Sequence, residues 1–217
     1  AKGDGVTQCH TAFANALEDL PSGGTLFIPS GTYIIEDSLL IDNSGIDIRG
    51  SGRKTYLRFT NSGNGLYTNN SKGIDDVSIR NLNITTSNPN ANAAIYIDLS
   101  DDGGTGWLLS GVRIYSSGDG KWQYGMWFKA VMCSSMRDCF FDLDSGSTAC
   151  ILFDTTSNVW DCSGLLIGGG NTSDYGVDIK ASGISITNST LQGREDVATV
   201  RFQHSSGGGS CGVCGSR

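Results

Sequence analysis

Two spacings of apolar and polar residues divide the chain. Near the start, Phe13, Ala16, Leu17 and Leu20 recur at i, i+3, i+4 and i+7, the period of one apolar helix stripe, with Thr7 as a candidate cap. Leu20-Pro21-Ser22-Gly23-Gly24 should end that helix sharply. From residue 25 onward the period falls to two. Thr25 to Ile28 and Gly31 to Ile35 read as strands on either side of a Pro29-Ser30-Gly31 turn, and no later segment reads as a helix.

Beyond residue 60 the strand pattern repeats. Gly65-Leu66-Tyr67-Thr68-Asn69, Ala94-Ile95-Tyr96-Ile97-Asp98 and Gly125-Met126-Trp127-Phe128-Lys129 are followed by Cys150-Ile151-Leu152-Phe153-Asp154, Gly176-Val177-Asp178-Ile179-Lys180 and Thr199-Val200-Arg201-Phe202-Gln203. The third residues are separated by 29, 31, 25, 26 and 23 positions, as expected for coils of a parallel β-solenoid with loops of varying length. The second and fourth residues are almost all apolar and should point inward. A second column reads Ile79-Arg80-Asn81-Leu82, Leu109-Ser110-Gly111-Val112, Met136-Arg137-Asp138-Cys139, Val159-Trp160-Asp161-Cys162 and Ile186-Thr187-Asn188-Ser189. Its Asn, Gly or Asp at each third position suits a left-handed bend. On this alignment Asp138 and Asp161 are turn residues, and Cys139 stacks on Cys162 as a pair of buried thiols.

The opening, with its Gly3-Asp4-Gly5 motif, amphipathic helix and two Pro-Ser-Gly turns, resembles that of pectate-lyase-like right-handed β-helix proteins, which include phage tailspikes and polysaccharide depolymerases. The resemblance implies an all-β fold: a single-stranded right-handed parallel β-helix with an N-terminal capping α-helix. The expected parts are residues 1–24 for turn and cap, 25–204 for the solenoid and 205–217 for a flexible Gly/Ser/Cys tail. Ala1 falls within the motif, so the chain is expected to be a piece of a longer protein. Gln8-Cys9 replaces the acidic pair usual at the start of the cap helix. Polygalacturonase-like signatures are missing: there is no Gly-His-Gly, Asp75-Asp76 and Asp101-Asp102 match a dipeptide alone, and Arg113-Ile114 is followed by Tyr115.

Composition narrows the function classes. Glycine supplies 31 residues and proline 3, which suits many tight turns between short strands. A net charge of −7 argues against a nucleic-acid-binding face. No apolar run is long enough for a membrane helix, and no signal peptide is visible at the start. Seven scattered cysteines read as reduced thiols of a protein made in a cytoplasm, and the lone Cys211-Gly-Val-Cys214 is a weak metal signal. No cofactor or metal is expected.

The outward positions of the first column carry the candidate chemistry. One row holds Tyr67, Tyr96, Trp127, Leu152, Asp178 and Arg201, and the next holds Asn69, Asp98, Lys129, Asp154, Lys180 and Gln203. Rings beside alternating charges suit a sugar-binding face, so Tyr96, Trp127, Lys129, Lys180 and Arg201 are candidate substrate-binding residues, with Trp107, Trp122 and Tyr124 as nearby aromatic surface. The same rows also read as a purely structural ion ladder. For hydrolysis, Asp98 and Asp154 are the candidate catalytic carboxylates. They lie two coils, about 9.6 Å, apart, which suits an inverting glycosidase. Lys129 between them would depress both carboxyls, an objection that elimination on an acidic polysaccharide avoids. His10 and His204 are poor candidates for a base.

The resulting expectation is a phage tailspike-like or other appendage protein of the virion, a homotrimer or bound to other virion proteins. It would bind a bacterial surface polysaccharide and be either a depolymerase or a non-catalytic adhesin. A secreted bacterial lyase or hydrolase is the remaining alternative.

Overall fold

Every recorded strand pairing is parallel, because each strand lies on the strand one coil earlier instead of reversing through a hairpin. The computed structural model describes residues 1–69, 73–116, 118–168, 173–191, 199–203 and 212–214. Three parallel sheets run the length of the coil. Sheet I has 8 strands beginning with Asp4–Gln8 and Gly31–Ile35, sheet II has 9 beginning with Thr25–Ile28 and Asp47–Gly50, and sheet III has 7 beginning with Leu39–Leu40 and Leu66–Tyr67. The result is an all-β parallel solenoid of about 7 turns.

The sheet III register reproduces the first column residue by residue: Tyr67 pairs with Tyr96, Tyr96 with Trp127, Trp127 with Leu152, Leu152 with Asp178, and Asp178 with Arg201. The predicted inward residues from Leu66 to Ile179 are buried. Phe202 is 53% exposed instead, since its strand is the last of the sheet among the described residues. Inside, Phe128 stacks on Phe153 with centroids 5.5 Å apart, and Trp160 lies 4.4 Å from Phe128. Trp107 and Trp122 are not surface rings. Both are buried in this core, where Trp107 donates its indole N–H to the Ile74 carbonyl at 2.8 Å.

The second column holds with one correction. Left-handed backbone occurs at Asn81, Gly111, Asp138, Gly164 and Asn188, so the fourth row is Cys162-Ser163-Gly164-Leu165, and Asp161 is an exposed strand residue. At Gly111 a Cβ would come within 2.7 Å of Asn81 Oδ1, so the glycine is needed for space as well as for backbone angle. Cys139 therefore does not stack on Cys162. Both are buried free thiols, and burial pushes Cys139 up to about 12.

The helix spans His10–Glu18 and buries Phe13 and Leu17 in the common core. Thr7 does not cap it. Thr7 ends in the first strand, where its N–H and hydroxyl donate to the Asp4 carboxylate at 2.8 and 2.7 Å. Gly3 and Gly31 touch backbone to backbone: a Cβ on Gly31 would lie 2.7 Å from Gly3 Cα. This close approach explains why the Gly-Asp-Gly motif and the Pro-Ser-Gly turn occur together. At the other end, Gly212–Cys214 pairs with the Ser182–Thr187 strand. His204, Ser205 to Ser210 and Cys211 lie outside the described residues.

Candidate functional site

The outer face of sheet III presents its side chains at strand spacing, so residues 29 to 31 positions apart in sequence become neighbours. Tyr96 and Trp127 meet edge to face with centroids 5.1 Å apart, and Tyr124 lies 4.9 Å from Trp127. The three rings form one half-exposed aromatic platform.

Charged groups border it. Asp98, only 7% exposed, accepts hydrogen bonds from the Tyr96 hydroxyl at 2.9 Å, Lys129 Nζ at 3.1 Å and the Ser100 N–H at 3.1 Å. Burial alone would raise this carboxyl, but the hydrogen bonds from Ser100, Lys129 and Tyr96 together hold it below the usual carboxylate range. Tyr96 moves the other way. Burial first, then its bond to Asp98 and the charges of Asp98 and Asp154, push its hydroxyl well above the usual tyrosine range. Asp154 accepts the Trp127 indole N–H at 3.2 Å and the Thr155 N–H at 2.8 Å, so the central ring is anchored to a carboxylate. Thr68 sits at an inward position, where period two predicts an apolar residue, and it supplies a polar contact instead. Its hydroxyl donates to the Asp98 carbonyl at 3.0 Å and accepts the Asp98 N–H at 2.9 Å, locking the carboxylate-bearing segment to the coil below.

The same two rows end differently. Asp178 is 1% exposed and is gripped by Arg201 through Nε and Nη2, one on each carboxylate oxygen, with Gln203 Nε2 at 3.1 Å. Arg201 also lies over the Tyr175 ring at 3.8 Å. Structure thus places Tyr96, Trp127, Asp98, Lys129 and Asp154 in one cluster and Arg201 in a separate, internally satisfied one. Lys180 stands one coil beyond Asp154, its N–H bonded to the Phe153 carbonyl, and no partner for its ammonium is found among the described residues.

Toward the chain start the platform runs into a groove of about 510 Å³ lined by Tyr67, Asp37, Asp42, Glu18 and His10. His10 Nδ1 is buried there with no hydrogen-bond partner among the described residues. Its place in this groove could not be read from helix periodicity, because the groove forms between the helix and the second coil. Among the described residues no group of three or more His, Cys, Asp or Glu is placed to hold a metal ion.

This arrangement can receive a sugar on the rings while Asp98, Lys129 and Asp154 meet its hydroxyls. It offers an ionised carboxylate in Asp98. Tyr96, already a donor to that carboxylate and hard to deprotonate, is a poor base at neutral pH.

A family described as rhamnogalacturonase A/epimerase, pectate lyase-like, matches residues 1–206. The tail spike protein of Shigella phage Sf6 is 30% identical over 148 residues, which is 63% of this chain and 24% of the tail spike. Among solved structures, an alginate lyase from a Paenibacillus species superposes with a TM-score of 0.65 at 21% identity, over 83% of this chain and 63% of that one. A pectin methylesterase variant in complex with a hexasaccharide gives a TM-score of 0.58 at 20% identity, over 90% of this chain and 65% of that one. The chain therefore spans about a quarter of the tail spike and under two thirds of either enzyme. At such identities the two enzymes speak for the shared fold alone.

Proposed function

The chain belongs to the rhamnogalacturonase A/epimerase, pectate lyase-like family, and from that membership we propose that it binds a bacterial surface polysaccharide along the outer face of sheet III, as part of a phage tail spike or related virion appendage. The observation that carries this reading is the Tyr96–Trp127–Tyr124 platform with Asp98, Lys129 and Asp154 fixed at its border. The partial match to a phage tail spike supports the appendage and the choice of a bacterial glycan. In this reading the coil is right-handed, the His10–Glu18 helix covers its first turn, and three copies assemble side by side.

Binding is favoured over chemistry because Asp98 is committed to three donors. One observation favours a second reading, inverting hydrolysis. A carboxyl held below its usual range suits the base that activates water, which would leave Asp154 as the acid. Elimination with Tyr96 as base is disfavoured, since that hydroxyl holds its proton.

The test is titration of host lipopolysaccharide or capsule fragments against the protein and Trp127→Ala. Binding by the first, weakened in the second, is expected. Equal binding by both would falsify the site. New reducing ends that vanish in Asp98→Asn with Asp154→Asn would establish hydrolysis, and a monomer by light scattering would remove the trimer.

A further inference from the structure

Sheet I turns a second, chemically different face outward. Its register places Tyr56, Asn83, Arg113, Phe140 and Leu166 in one row, and Arg58, Thr85, Tyr115 and Asp142 in the next. Arg113 sits over Phe140, its guanidinium carbon 4.6 Å from the ring centroid. Tyr56 and Tyr115 meet edge to face at 6.4 Å. Alongside them runs a groove of about 330 Å³, at the lower end of ligand-sized clefts, lined by Arg53, Asn83, Arg113, Asp138, Phe140 and Leu166.

Three arginines on this face, Arg53, Arg58 and Arg113, form no ion pair with any described residue. Arg58 Nε and the hydroxyl of Thr85, which is 1% exposed, are buried without hydrogen-bond partners among the described residues. Unpaired guanidinium groups are unexpected on a chain of net charge −7, where acidic partners are plentiful. A guanidinium held over a ring without an ion-pair partner still carries in-plane N–H donors, which suit a planar anion.

We propose that this groove is a second glycan-binding site, selective for a sugar bearing one carboxylate. Arg53 and Arg113 take the carboxylate, Phe140 and Leu166 pack on the apolar face of the ring, and Asp138 accepts hydroxyl protons from the opposite wall. Two arginines against one aspartate leave the lining with a single positive charge, which matches a monoanionic uronate better than a dianionic phosphate. The site is independent of the platform on sheet III, which faces another side of the coil. A chain with both would hold one polysaccharide at two separate places.

The probe is a fluorescently labelled oligogalacturonate read by anisotropy, with its methyl-esterified form as the neutral control. The acidic form is expected to bind, with affinity falling as salt rises, and the ester to bind at least tenfold more weakly. Arg53→Gln and Arg113→Gln should each lose about tenfold, since each removes a charge-assisted hydrogen bond, while Trp127→Ala and Lys180→Gln retain this binding. Arg53 is exposed, so its variant reads binding without disturbing the core. Unchanged affinity in both arginine variants overturns the proposal, as does equal binding of the ester. If Trp127→Ala alone abolishes binding, the glycan sits on sheet III and the groove is not a site. Loss of self-association in the arginine variants without any glycan binding would assign the face to a second copy of this chain and equally overturn the proposal.

Discussion

At Asp98 and Lys129, one carboxylate and one ammonium face each other across adjacent coils at 3.1 Å, with two aromatic rings beside them. At Asp178 and Arg201, three coils further along the same sheet, the sequence offers the same kind of pair. There the carboxylate is 1% exposed, the guanidinium binds both its oxygens, and Gln203 and Tyr175 close over what remains. The first pair keeps an ammonium and three ring surfaces turned outward. The second has spent its bonding capacity on itself. Equal spacing along a solenoid therefore guarantees shared rows and says nothing about which members of a row stay available to a ligand.

The sharpest way to break that contrast is stability. Asp178→Asn leaves Arg201 beside a buried amide and should cost about 2–3 kcal/mol, toward the low side for a broken buried pair because Arg201 is one third exposed. Asp98→Asn keeps an acceptor for Tyr96 and should cost about 1 kcal/mol or less. Urea midpoints of the two variants measure the difference. Equal losses would mean that both pairs are structural, and the sheet III face would lose its claim to be a ligand site.

Trp127→Ala comes next. It removes two ring contacts and the indole bond to Asp154, and it should weaken glycan binding by about tenfold with a smaller loss of stability. Replacing Tyr175, the ring under Arg201, should leave glycan binding unchanged. Reversed outcomes would move the site to the far end of the ladder.

The sequence displayed much of this scaffold and less of its surface. Inward positions from Leu66 to Ile179 were legible because burial demands apolar residues at period two, and the sheet III register followed from that alone. The second column slipped by three at Val159 because Asp161 offered the residue type expected at the bend that Gly164 fills, and a valine at φ 57 has no sequence signature. Trp107 and Trp122 looked like loop aromatics; only the width of the stacked core shows that it has room for them. The Tyr96, Trp127, Asp98, Lys129 and Asp154 cluster was legible as row membership. Its hydrogen bonds were not, because side-chain torsions decide whether Asp98 meets Tyr96, Lys129 or neither. Arg113 and Tyr115 stood out only as a broken motif, and their place beside Arg58 on one outer face depends on the sheet I register.

Acid titration separates the two pairs by the smallest effect. The Asp98 carboxyl sits below its usual range in the folded protein, so its charge stabilises the fold fully above the unfolded carboxylate value of about 4 and is lost as pH falls through the folded value. The stability gap between the protein and Asp98→Asn should therefore be present near pH 6 and shrink below about pH 4, because a protonated Asp98 and the asparagine that replaces it are both uncharged. Asp4, lowered to about 2 by the Thr7 and Val6 hydrogen bonds, titrates across the same range but is common to both proteins and cancels in the difference. Arg201 lies on the other side of the scale. Its bond to Asp178 raises it further above an already high value, so it stays charged throughout. Urea midpoints at pH 6 and pH 3 supply the four numbers needed. A gap that persists undiminished at pH 3 would mean that Asp98 contributes through shape and hydrogen bonding and not through its charge, and the face on sheet III would then resemble the closed end of its own ladder.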